Sequence, residues 1–311
     1  MDNLAPVVVF AYNRSDKLKK TIKHLMQNNY AQNSELFIFS DGYKNDEDKN
    51  SVIEVRDYLK TITGFKKITI FESEINKGLG ASIIEGVTKI INIYKKIIVI
   101  EDDLQTTPDF LEFLNNSLKY YENEKNIYSI GAYMPPINLG KLDENGVAFI
   151  PRICSWGWAT WEDRWRINDW SISDYNTFIK NSKKRKQFSR AGKDMIDMLV
   201  NQVEGEATAW AIRCDYNRFK YNDALTVYPC KSKVLNIGID GKGQNTPKTN
   251  KYDIIFDEHG VNSIYLKKFE YEDIEITKEF RNFFKRNLKS VLIIYMRRLK
   301  ILNILKKVKL K

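Results

Sequence analysis

Cysteine is scarce in this chain, and the three present, Cys154, Cys214 and Cys230, show no CxxC spacing. An odd, unpatterned set argues against a disulfide framework and against a structural zinc site. It leaves buried or inert thiols in a reducing compartment. Histidine is scarcer still, with only His24 and His259. No apolar run approaches the roughly 20 residues needed to span a bilayer. The longest near the C-terminus, Val291 to Met296, is cut by Arg297 and Arg298. A secretory signal is not evident: Asp2 stands where a basic segment belongs, and Asn13 and Arg14 end the first apolar stretch early. The expectation is a cytoplasmic protein, peripheral on the inner face of the cytoplasmic membrane. Internal repeats and low-complexity linkers are also lacking.

Acidic residues vanish at the C-terminus. From Arg281 to Lys311 there are eleven Lys or Arg and no Asp or Glu, so this tail accounts for the whole net charge of +10 and the remainder is near neutral. A nucleic-acid binder would spread basic residues over a folded surface, so no nucleic-acid partner is expected. The tail mixes bulky apolar and basic residues at helical spacing. It reads either as a helix lying on an anionic membrane surface or as one packed on the body with its basic face in water.

What is present is an ordinary globular composition of 311 residues, 43% apolar and 29% charged. That suits one large domain with an appendage, drawn here as residues 1–265 and a basic helical tail at 266–311. Strand and helix signals alternate through the first hundred residues. Strands are expected at 6–11, 35–40, 67–71 and 96–100, with helices at about 15–28, 46–59 and 79–94. The fourth strand is apolar on both faces, as a central parallel strand should be. The pattern predicts an α/β fold with a mainly parallel, Rossmann-like sheet and helices on both faces. Beyond it, residues 134–150 read as loop and hairpin, 153–170 as aromatic and irregular, and 236–247 as a Gly-rich loop.

The sharpest chemical signal is Glu101-Asp102-Asp103, directly after the fourth strand. Ligands of open α/β sheets sit outside the C-terminal strand ends. Three adjacent carboxylates repel one another unless a cation is present, and hard oxygen ligands suit Mn²⁺ or Mg²⁺. The alternative is a solvated acidic turn. All six tryptophans lie between Trp156 and Trp210. Indoles stack on sugar C–H faces, but a dense set also builds a subcore. Most are expected to be core, with Trp156 or Trp158 in a sugar pocket.

These segments resemble a known family. The run IEDDLQTTPDFLEFL (Ile100–Leu114), the opening FAYNRSDKLKKTIKHL (Phe10–Leu25) and LFIFSDG (Leu36–Gly42) look like corresponding segments of the N-acetylglucosaminyltransferase I family. Related bacterial sugar transferases share patterns like Asn76–Gly80 and SWGWATW (Ser155–Trp161). The resemblance covers roughly residues 5–245. It implies a GT-A fold and a metal-dependent, inverting glycosyltransferase. Its donor would be a nucleotide sugar carrying UDP, and its acceptor a glycan or lipid-linked saccharide in surface polysaccharide assembly.

It also implies roles. Asp103 matches the direct metal ligand, and Glu101 and Asp102 match residues holding the donor's sugar and ribose. Asp41 matches a uridine-side Asp and Arg14 an Arg near the phosphates. Asn76 and Lys77 fall in the donor-binding pattern, and Asp240 in the Gly-rich loop is assigned to the sugar pocket. Taken alone, Arg14 could be a surface cation at a helix start and Asp41 an Asx-turn residue before Gly42. The family's base Asp precedes a Trp like Trp210, but Ala207, Thr208 and Ala209 stand here, so Glu206 is the expected base. Relatives carry a His where this chain has Gln244 and Asn245, which argues against a His metal ligand. Two other classes compete. A sugar nucleotidyltransferase would need a Gly-rich, Arg-containing loop that AYNRSD is not, and a non-catalytic membrane-associated sugar-binding module would explain the missing base Asp.

Overall fold

The structure is a computed structural model that describes residues 4–205, 209–239, 249–256, 258–260, 264–286 and 288–298. The strands are β1 (Val7–Ala11), β2 (Glu35–Ser40), β3 (Lys67–Glu72), β4 (Lys96–Glu101), β5 (Leu104–Thr106), β6 (Ile127–Gly131), β7 (Val147–Ile150), β8 (Trp158–Trp161), β9 (Leu225–Pro229) and β10 (Val234–Asn236). The helices are α1 (Ser15–Met26), α2 (Asp46–Leu59), α3 (Leu79–Tyr94), α4 (Phe110–Tyr120), α5 (Glu162–Trp165), α6 (Tyr175–Phe178), α7 (Ser182–Phe188), α8 (Met195–Glu204), α9 (Trp210–Lys220), α10 (Ile274–Phe283) and α11 (Leu288–Arg298). Eight strands form one mixed sheet in the order β3-β2-β1-β4-β8-β6-β9-β7, and β5 pairs with β10 in a small second sheet.

Side-chain alternation in the buried strands builds two cores. Val7 and Val9 of β1 and Ile98 and Ile100 of β4 join Leu18 and Ile22 of α1, Val55 of α2 and Leu111 of α4 on one face. Val8, Ile97 and Val99 join Ile83 and Val87 of α3 and Trp210 of α9 on the other. The local helix signals agree with these positions. The Asn45 side chain accepts from the Asp48 N–H to cap α2, whose first turn carries three acids that suit the helix dipole. α3 ends on Lys95 in the left-handed conformation.

The parallel half, β3-β2-β1-β4, matches the sequence expectation. The other half differs. The stretch read as irregular contains β8, a strand buried along its length and antiparallel to both β4 and β6. Four residues (WATW) buried on both faces carry no alternation, so only their partners reveal the strand. In the region read as hairpin, β7 instead pairs antiparallel with the distant β9. The expected tail also divides. α10 buries Ile276 and Phe280 in the main core, so the body continues past residue 265. Among the described residues no helix is long and apolar enough to cross a membrane.

A buried arginine locks α9 to the second half of the sheet. The Arg218 side chain is fully buried; its Nε donates to Asp215 Oδ1 at 2.6 Å, Nη2 to the Pro151 carbonyl at 2.9 Å, and Nη1 to the Ala224 carbonyl. Removing the guanidinium strands the Asp215 carboxylate in the interior. Arg218→Met is therefore expected to cost about 3–5 kcal/mol in urea unfolding, and adding Asp215→Asn should recover a large part of it. Equal stability of the wild type and the single variant would contradict this assignment.

Candidate active site

Because β1 lies between β2 and β4, the C-terminal ends of three parallel strands meet at one edge. Ala11 stands opposite Ser40, and Phe10 opposite Glu101. The chain leaving β1 carries Tyr12, Asn13 and Arg14; that leaving β2 carries Asp41; β4 runs directly into Glu101-Asp102-Asp103. These groups line one end of a cleft of about 720 Å³. This is the crevice where an open α/β sheet takes its ligand.

The acid turn is held tightly. Arg14 Nη2 donates to Asp102 Oδ1 and Asp103 Oδ2, both at 2.8 Å. The Tyr12 N–H reaches Asp102 Oδ2 at 3.3 Å, and the Thr21 hydroxyl donates to the Asp102 carbonyl at 2.8 Å. One guanidinium does not balance three carboxylates. Desolvation, then repulsion from Asp103 and Asp102, pushes the Glu101 carboxyl up to about 8, although Arg14 opposes the shift. Desolvation likewise raises Asp102 to about 6, with Arg14 pulling the other way. The second amino group of Arg14, Nη1, is buried and has no hydrogen-bond partner.

Gly238 closes the site from the far side. The Ile237 N–H bonds the Asp103 carbonyl at 2.8 Å, extending the β5–β10 pairing to the acid turn. A Cβ on Gly238 would lie 1.9 Å from Asp103 Oδ2 and 2.9 Å from Arg14 Nη1. The glycine is thus required by close approach to the carboxylate, a constraint that its neighbours in sequence do not reveal.

The remaining predicted residues divide into those on the cleft and those beside it. Asp41 lines the cleft, but its carboxylate accepts N–H bonds from Gly42, Lys77 and Gly78, each at 2.9 Å. It therefore anchors the Asn76–Gly80 turn. Asn76 also lines the cleft, while its amide donates to the Gly42 carbonyl at 2.8 Å. Lys77 is exposed and pairs with Glu85 at 2.5 Å. Trp156 lines the cleft, in edge contact with Tyr133 and Tyr252. Trp158 instead stacks between Trp165 and Trp210, at 5.7 and 5.0 Å, in the second core. Glu206 and Asp240 lie outside the described residues. Two cleft residues that the sequence did not single out are Arg152, paired with Asp194 at 2.8 Å, and Asp215. Their sequence neighbourhoods carry no motif, and the chain crossings that bring them to the cleft are long-range.

Comparison with known proteins decides the class. Residues 7–196 match the family described as Glycosyl transferase family 2. The chain belongs to this family. The family 2 transferase thus has a GT-A fold, and membership sets aside the nucleotidyltransferase and non-catalytic readings. The narrower likeness to N-acetylglucosaminyltransferase I rests on the quoted motifs. Among solved structures, the mannosyltransferase PcManGT from Pyrobaculum calidifontis, in complex with GDP-Man and Mn²⁺, is 13% identical with a TM-score of 0.45, over 78% of this chain and 61% of its own. S. aureus TarS 1-349 with UDP-GlcNAc is 11% identical with a TM-score of 0.32, over 45% and 37%. Mouse xyloside xylosyltransferase 1 in its apo form is 9% identical with a TM-score of 0.37, over 71% and 83%. The chain thus spans about three fifths of the mannosyltransferase and less of TarS. Likenesses at this level assign neither donor nor metal to the family 2 transferase. No curated protein matches it.

The arrangement yields two expectations. Arg14→Gln leaves the acid turn without its counter-ion and should lower the melting temperature by about 4–8 °C in chelator, corresponding to roughly 2 kcal/mol; Asp103→Asn should partly restore it. Melting curves that coincide would argue against Arg14 as the clamp. Gly238→Ala should displace Asp103 and abolish sugar release from donor while the circular dichroism spectrum is kept. Full activity in that variant would refute the close-approach reading.

Proposed function

We propose that this protein is a metal-dependent, inverting glycosyltransferase that takes its sugar from a UDP-linked donor and passes it to a glycan or lipid-linked acceptor in surface polysaccharide assembly. The observation that carries the reading is the three-carboxylate turn at the end of β4, facing a cleft in a family 2 transferase.

The donor set fits a hard divalent cation such as Mn²⁺ or Mg²⁺. The side chains are all oxygen ligands, and their ionised charge exceeds that of the single guanidinium beside them. Among the described residues no three His, Cys, Asp or Glu side chains are grouped to hold a metal ion, so the reading takes one or two carboxylates as ligands, with substrate phosphates completing the shell. Asp103 is the proposed ligand, with Glu101 and Asp102 toward the donor's sugar and ribose. When bound, the cation would supply charge neutralisation on the departing nucleoside diphosphate.

The chain's own residues have the following proposed parts. Arg14 presents its unpartnered Nη1 to a phosphate oxygen while its other amino group keeps Asp102 and Asp103 in place. Asp41 fixes the Asn76–Gly80 turn so that Asn76 and the backbone of Gly78 face the nucleoside. Lys77 contributes through its backbone at this turn. The aromatic wall of Tyr133, Trp156 and Tyr252 supports the sugar pocket, with Asp240 contributing from the Gly-rich loop, while Trp158 backs cleft-lining Trp210 in the tryptophan stack. Glu206, three residues before cleft-lining Ala209, is the proposed base that takes the proton from the acceptor hydroxyl. The body, residues 1–265 with α10 packed on it, carries the reaction, and the remaining tail holds the enzyme peripherally on the inner face of the cytoplasmic membrane.

Nucleotide release from a panel of UDP- and GDP-linked sugars tests the reading. UDP release is expected in Mn²⁺ or Mg²⁺ and should stop in EDTA. Asp103→Asn should lower it about 100-fold or more with the fold intact. Turnover that survives both chelation and the substitution would remove the metal from the account.

A further inference from the structure

The packing of α11 points to a specific docking face. α10 and the turn after it are fixed to the body. Phe280 is buried against Tyr228, with ring centroids 5.0 Å apart. The Arg152 guanidinium lies over the Phe284 ring at 3.8 Å, and the Lys193 N–H donates to the Phe284 carbonyl at 2.9 Å. Arg286 then clamps Asp197 of α8 with two bonds of 2.6 and 2.8 Å. α11 starts immediately beyond this clamp and packs on α8, burying Ile294 to 7% exposure.

The opposite side of α11 is apolar and uncovered. Leu288, Leu292 and Tyr295 are 81%, 59% and 63% exposed. Their spacing of four and then three residues places them in one stripe along the helix. Such a stripe is costly in water unless something covers it. The charge pattern argues for the occupant. Residues 281–311 hold eleven Lys or Arg and no acidic residue. A second copy of this chain would bring a second set of the same charges to the contact, whereas an anionic bilayer attracts them and accepts the apolar stripe at its interface.

We infer that α11 lies in the headgroup region of an anionic membrane, with Leu288, Leu292 and Tyr295 inserted, and so sets the catalytic cleft beside the bilayer. α8 turns Met198 and Asn201 to the cleft and also packs against α11, so one helix joins the cleft wall to the docking face. This places a lipid-linked saccharide within reach of the cleft while its chains stay in the bilayer. The inference deepens the proposed function by naming the docking face, and its significance for the acceptor rests on that function. The binding itself does not.

Co-sedimentation of the full chain with vesicles of phosphatidylcholine, alone or mixed with phosphatidylglycerol, tests it. Binding to the mixed vesicles only is expected, weakening as salt screens the attraction. Leu288→Ser, Leu292→Ser and Tyr295→Ser together should lower the partition coefficient at least about tenfold. Circular dichroism and donor hydrolysis in solution, which read the fold and the reaction separately, should be unchanged. Lys306→Glu with Lys307→Glu should weaken binding to mixed vesicles without touching the stripe. Equal binding by the wild type and the stripe variant, no binding by either, or equal binding to neutral vesicles would each overturn the inference. So would a dimer in light scattering that the stripe variant dissolves. Failure of donor hydrolysis with vesicle binding intact would count against the proposed reaction and leave the docking face standing.

Discussion

The structure turns on one electrostatic constraint: three consecutive carboxylates stand where a buried strand ends, and a single guanidinium holds two of them. β4 lies in mid-sheet between parallel β1 and antiparallel β8, apolar on both faces, so its end cannot move without disturbing two cores. Arg14 reaches the turn because β1 is its immediate parallel neighbour. Burial first, with repulsion among the neighbouring carboxylates added, holds the Glu101 and Asp102 carboxyls above the usual carboxylate range despite Arg14. The site is therefore preorganised and short of positive charge, which is what the proposed cation would supply.

The rest of the molecule divides around that point. The parallel half delivers the side proposed for the nucleotide: Asp41 ties down the Asn76–Gly80 turn, and Arg14 and the acid turn line the same cleft. The second half inserts β8 antiparallel beside β4, which reverses the chain and brings the aromatic segment around Trp156 and Trp210 over the same cleft. The half-buried pair Arg152–Asp194 and the buried pair Arg218–Asp215 fix this half, and Phe280 of α10 and Phe284 just after it close it. A cleft made from two such halves joins a charged wall to an aromatic one. That combination suits a ligand with a phosphate end and a sugar end.

Much of this was legible along the chain because the signals were local. The fourth strand is a run of isoleucine and valine ending in three acids, and no partner is needed to read it. Arg14 and Asp41 stand at predicted strand ends. Their roles were less legible. Asp41 accepts from the N–H of its neighbour Gly42 and from two backbone N–H groups, Lys77 and Gly78, of a turn some 36 residues away, so it is an anchor before it is a contact. Trp156 and Trp158 are two residues apart and would share a face in a continuous strand, but β8 starts only at Trp158 and Gly157 between them has φ +65°, so one lines the cleft and the other enters the tryptophan stack. Composition gave them equal claims.

By itself, the sequence determined the α/β class, the parallel first half, the acid turn and the basic tail, because periodicity, strand-end position and net charge are properties of contiguous residues. Tertiary structure alone decided that β8 runs antiparallel in mid-sheet and that Gly238 must lack a side chain. It also brought Arg152 and Asp215 to the cleft and left Leu288, Leu292 and Tyr295 facing outward. Each of these depends on which distant segment a residue meets, and a chain read in order does not hold that information.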